Sequence, residues 1–198
     1  MKRTILLLSF ICLQTILVAQ TVSYDDFRSI IPFLQKEDFA SAYKASAKIL
    51  NTTENDSSDL RGIVTYINIY AAAGMVSKGE MSYDAFEKNS KQFIGHYLVM
   101  SAHPCVDSGK LAYNSLSFFR DDSGRLKGRT TTTNNKATSI LLFEYFDFAE
   151  PVDPQAYIGK NVRCGGILEE LKPNPNKSTV VIGRLYIKNA FIRDMTPR

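Results

Sequence analysis

The chain has 198 residues, 44% of them hydrophobic, with 24 Lys and Arg against 20 Asp and Glu and a formal net charge of +4. That length suits one or two domains and is ample for a buried core. Two of the cations, Lys2 and Arg3, sit in a leader expected to be removed; without them the charge is +2, too little to point to nucleic acid or an anionic membrane as partner.

Residues 1–19 read as a secretory signal peptide. Lys2 and Arg3 form a positive start, Ile5 to Val18 is mostly apolar, and Ala19 precedes Gln20 at a plausible cleavage point. The apolar run is broken by Ser9, Gln14 and Thr15 and is short for a span of about 20 apolar residues. An uncleaved anchor is the alternative. No later segment is long and apolar enough to cross a bilayer. The expectation is an exported protein, periplasmic or secreted, of a Gram-negative envelope.

Residues 20–94 carry helical periodicity. Asp25 and Asp26 suit a first turn, and Phe27, Ile30, Ile31 and Leu34 form one stripe that Pro32 interrupts. Asp38 is the expected cap of a second helix bearing Phe39, Ala42, Tyr43, Ser46 and Leu50. Asn51 to Ser58 is a polar loop. Asp59 opens a third helix, with Gly74 as its expected stop. Ser82 caps a fourth, which bears Tyr83, Phe86 and Phe93. The run from Phe33 to Tyr43, FLQKEDFASAY, resembles the turn region of a tetratricopeptide repeat. That resemblance implies antiparallel helical hairpins; a small helical bundle packed on a sheet is the plainer reading.

Residues 95–198 change to a period of two, the mark of strands with one buried face. His96 to His103 alternates, and Leu111 to Arg120 and Arg125 to Thr133 flank the turn signal Asp121 to Gly124. Ile140 to Phe146 is apolar and aromatic, and Ala149 to Gln155 is a proline-bearing loop. Val162 to Leu168 alternates around Gly165 and Gly166, which signal a bulge, a bend or a close backbone. After the turn-rich Lys172 to Lys177, Val180 to Arg193 completes a bent hairpin. The segment Ala156 to Ile167, AYIGKNVRCGGI, resembles the strand entry of OB-fold domains of the anticodon-binding-like group. The resemblance implies a small, mostly antiparallel barrel that binds oligonucleotides, oligosaccharides or proteins on one face. It assigns no catalytic residue.

The chemistry-bearing residues are few. His96 and His103 are the only histidines, and His103, Cys105 and Asp107 lack the further ligands zinc needs. No Gly-x-Ser-x-Gly elbow or phosphate loop occurs. Glu144, Asp147, Glu150 and Asp153 could serve a small secreted hydrolase if two of them converged. Cys105 and Cys164 remain after the leader; a disulfide between them and two buried free thiols are both open, since export permits oxidation. Arg163, Arg184, Tyr186 and Lys188 interleave cations with an aromatic and form the candidate ligand face; the wet side of an amphipathic sheet is the alternative.

These readings converge on an α+β protein with a helical part followed by an OB-like β-rich part. The expected role is non-enzymatic binding of an envelope protein or glycan, with no metal or cofactor. The alternatives are the acid-based hydrolase and extracellular nucleic-acid binding through the OB-like face.

Overall fold

The structure, a computed structural model, describes residues 21–54, 56–107 and 113–197. The leader of residues 1–19 and the start of the strand expected from Leu111 lie outside the described residues. No helix among the described residues is long and apolar enough to cross a membrane.

The protein is α+β: four helices precede six strands. Helix α1 (Tyr24–Gln35) starts in a capping box, in which Ser23 Oγ accepts from Asp26 N–H and the Asp26 carboxylate accepts from Ser23 N–H. Pro32 cannot donate to the Arg28 carbonyl, yet the helix continues to Gln35. Helix α2 (Phe39–Thr52) is capped by Asp38, α3 (Asp59–Ser77) by Ser58 and α4 (Tyr83–Lys91) by Ser82.

Gly74 does not stop α3. A β-carbon there would lie 2.4 Å from Cγ of Phe39, so its missing side chain makes room for that ring. The helix ends one turn later, where Gly79 takes φ +74°. There Gly79 N–H donates to Val76 and Glu80 N–H to Met75, which satisfies the last carbonyls. Helix α3 is buried on nearly every side because α2 covers one flank and the sheet the other.

The strands are β1 (Tyr97–Pro104), β2 (Ser117–Arg120), β3 (Leu126–Thr133), β4 (Ile140–Phe148), β5 (Asn161–Pro173) and β6 (Val181–Asp194). They form one sheet in the order β1-β5-β6-β4-β3-β2, antiparallel except for the β4–β6 pair. Asp121 makes the β2–β3 turn: its carboxylate accepts from the backbone of Ser123 and Arg125. The register slips between Gly165 and Ile167. A β-carbon on Gly165 would lie 2.5 Å from the Leu98 carbonyl oxygen, and one on Gly166 2.7 Å from that of Lys188. The paired glycines therefore serve both a bulge and the close approach of two neighbouring backbones.

The edges of the sheet are β1 and β2. Beyond the end of β1, Cys105 forms a parallel bridge with Leu116, through Leu116 N–H to the Pro104 carbonyl and Val106 N–H to the Leu116 carbonyl. One buried cluster runs from Ile30, Phe39 and Ile69 in the helices to Leu98, Phe146, Leu168 and Ile187 in the sheet. The helical and β-rich stretches of sequence therefore share a single core.

Candidate functional site

Strand β4 supplies the central residue of the site. Leu142, Glu144 and Phe146 are buried, while Phe143, Tyr145 and Asp147 alternate with them on the more open side. Pairing then sets Arg129 of β3 beside Tyr145, and Tyr186 of β6 on its other flank. The Tyr145 and Tyr186 rings lie 5.2 Å apart and 12° from parallel. Phe119 of β2 meets Tyr145 edge-on at 6.3 Å. The guanidinium of Arg129 sits 5.6 Å over Phe119, and the ammonium of Lys172 sits 4.9 Å over Tyr186. The result is a strip of aromatic rings and cations across five strands, with half-exposed rings held by their neighbours.

A hollow of about 290 Å³ adjoins the strip, lined by Phe119, Tyr145, Tyr186 and the charged pair Lys127 and Asp147. Most charges here are matched. Lys127 bridges Asp121 and Asp147, Lys172 pairs with Glu170 at 2.8 Å, and Lys188 pairs with Glu169 at 3.3 Å. Arg184 lies across from Lys172 and Phe143, and its side chain has no hydrogen-bond or ion-pair partner among the described residues.

The four residues expected from sequence divide between two places. Tyr186 is in the strip and Arg184 beside it, while Lys188 lies at its border, engaged with Glu169. Arg163 lies elsewhere, next to Ala102 of β1 in a groove under α1 and α3. Sequence reasoning missed Tyr145, Phe119, Arg129 and Lys172. The signal for Tyr145 was the alternation in β4, which looked like core because every second residue is core.

The acids proposed for hydrolysis do not converge. Glu144 is fully buried, and Asp147 points to the other face of β4 and pairs with Lys127. Asp153 caps a short 3-10 turn by accepting from Gln155 N–H, and Glu150 is exposed. No group of three metal-ligating side chains occurs among the described residues.

Cys105 and Cys164 are buried free thiols. Cys105 N–H donates to the Lys160 carbonyl, which puts it across from a residue four positions, about 13 Å, along β5 from Cys164. Of the two alternatives the sequence left open, the structure holds the free thiols. Burial pushes the Cys105 thiol up to about 11, away from nucleophile chemistry. His103 is also buried: its Nδ1 lies 3.0 Å from the Asn114 carbonyl and its Nε2 3.1 Å from Ser101 Oγ.

A second polar cluster lies behind the sheet. The Tyr66 hydroxyl of α3 is hydrogen-bonded to Thr132 Oγ1 at 2.7 Å and to Glu144 Oε1 at 2.8 Å. Glu144 Oε2 has no partner. Desolvation raises the Glu144 carboxyl to about 8, against the smaller lowering effect of its hydrogen bonds. This acid is therefore mostly neutral near pH 7 and ties α3 to β3 and β4.

The chain matches no known family model, curated protein or solved structure. The functional reading rests on the strip and its surroundings.

Proposed function

We propose that the protein is an exported, non-enzymatic binding module of the cell envelope that takes a glycan on the aromatic strip of its sheet. The observation that carries this is the stacked pair Tyr145 and Tyr186, extended by Phe119, on the open side of the sheet. Ring faces of this kind pack against the apolar faces of sugars, and Arg129 and Arg184 can donate to sugar hydroxyls or carboxylates. Residues 1–19, read as a signal peptide, support export.

An OB-like barrel fits this role. Its support is threefold: the Cys105–Leu116 bridge brings the edge strands together, β1 and β2 then count as one interrupted strand, and five strands result. On that count β3 and β4, which carry Arg129 and Tyr145, are the second and third strands, the usual ligand face of such barrels.

Bases stack on aromatic rings as readily as sugars do, so single-stranded nucleic acid is the competing ligand for the same strip. Asp121, Asp147, Glu169 and Glu170 pair with Lys127, Lys172 and Lys188, which leaves few free cations for a phosphate backbone and favours the glycan. The test is calorimetric titration with envelope oligosaccharides against the native protein and Tyr186→Ala. Saturable binding that weakens at least about tenfold in the variant, roughly 1.4 kcal/mol, supports the strip. Unchanged affinity removes it. Binding of an oligonucleotide with a steep salt dependence would move the assignment to nucleic acid.

A further inference from the structure

A groove of about 440 Å³ separates α1 from α3 and β1. Its α1 wall is the stripe Phe27, Ile31 and Leu34, which stays half-exposed although Ile30, on the same helix, is completely buried. Opposite stand Ile63 and Ile67 of α3, and Met100 of β1 closes the floor. The size and apolar lining are those of a small-molecule site, which adds a few placed polar groups to an apolar wall.

The buried polar groups of this groove are satisfied internally with one exception among the described residues. Tyr70 donates to the Thr133 carbonyl, and Tyr66 is engaged with Thr132 and Glu144. Arg163 is the exception. Its Nε is buried without an acceptor, and it has no ion pair among the described residues. It is also the only charged side chain on the groove wall among those residues. A guanidinium stays charged at any relevant pH, and a buried donor without an acceptor is costly. Ser101, on the irregular stretch of β1 beside Ala102, adds a hydroxyl near the same end.

We propose that this groove binds a single-chain fatty acid, with its chain along the α1–α3 wall and its carboxylate on Arg163. The carboxylate would pair with the Arg163 guanidinium in a charge-assisted hydrogen bond. The chain would cover the half-exposed stripe of α1. No acid lines the groove among the described residues to repel an anion. This site is separate from the aromatic strip and stands or falls independently of it.

The test uses the purified protein, titrated with hexadecanoate below its micelle concentration and, in parallel, with hexadecanol. The expected result is one saturable site that prefers the carboxylate at least tenfold. Arg163→Gln should erase that preference, and Ile31→Trp, which fills the groove from a half-exposed position, should weaken both ligands. Thermal unfolding of each variant checks that it folds. Absence of saturable hexadecanoate binding to the native protein overturns the proposal, as does equal affinity for acid and alcohol. Both results come from the native protein alone. Loss of binding in Arg163→Gln with no effect of Ile31→Trp would place the anion outside the groove and overturn it as well.

Discussion

Tyr66 and Tyr186 are the same residue type in opposite circumstances. Tyr66 lies in the seam between α3 and the sheet, buried, with its hydroxyl committed to Thr132 and Glu144. Tyr186 lies on the open side of the sheet, stacked on Tyr145 with the Lys172 ammonium over its face. In the seam the hydroxyl carries the interaction, and its loss strands a buried acid. In the strip the ring face carries it, and water already solvates the surroundings. A tyrosine in the seam therefore holds the fold together, and one in the strip is left for the proposed binding role.

The largest expected effect breaks the seam through its acid. The folded state raises the Glu144 carboxyl from 4.5 to about 8, so it holds this proton more tightly than the unfolded chain does. The stability this contributes is complete below about pH 4.5 and is lost as pH rises through about 8. At 1.36 kcal/mol per unit, the loss is on the order of 3 to 5 kcal/mol at most. Glu144→Gln cannot ionise, so its urea midpoint should change less than that of the native protein between pH 5 and pH 8.5. Parallel pH profiles of the two proteins would show that Glu144 is not the titrating group.

A smaller effect comes from the other side of the same bond. Tyr66→Phe leaves Glu144 Oε1 and Thr132 Oγ1 without the hydroxyl and should cost about 1 to 3 kcal/mol in denaturant unfolding. Because the Tyr66 hydrogen bond lowers the Glu144 value, the variant should also go on losing stability to a higher pH than the native protein. A loss of stability without that shift would mean that packing alone is at stake.

The strip should respond in the opposite sense. Tyr186→Ala is expected to change stability by less than about 1 kcal/mol, near what one aromatic pair contributes, while weakening glycan capture at least about tenfold. Chemical unfolding and titration of one preparation measure both. A variant that unfolds before it loses ligand would make the strip part of the core instead of a site.

The smallest effect is expected at the border of the strip. Lys188→Ala removes an exposed pair with Glu169 and should move stability by no more than about 0.5 kcal/mol. Thermal unfolding at low and high salt checks this. A larger, salt-sensitive change would make that pair a structural element of β6.

Much of the local structure was legible in the chain. Asp38 and Ser82 announced helix starts because their side chains bond to backbone N–H groups two or three residues on, a relation contained in the sequence. The turn at Asp121 to Gly124 and the irregularity at Gly165 were legible for the same reason. Gly74 misled because glycine serves two purposes, and only the position of Phe39 reveals that here it makes room for a ring. The cysteines stayed undecided in the sequence because their separation depends on register, which the sequence leaves open.

The candidate site was half legible. Tyr186 and Arg184 stood out on a strand with alternating character, but their partners come from four other strands. The alternation that marks β6 as two-faced does not say which strand lies beside it. That the neighbour is β4, and parallel, places Tyr145 against Tyr186 and separates both from Arg163.

Residue order and side-chain chemistry alone were enough for helix caps, turns, strand periodicity and the absence of familiar catalytic signatures, because each involves neighbours within a few positions. Tertiary structure decided the rest. It brought Glu144 under α3, dispersed the acids, separated the thiols, assembled the aromatic strip and left Arg163 without an acceptor. Those outcomes depend on which distant segments meet, and burial and pairing across the sheet settle that only once the whole core has formed.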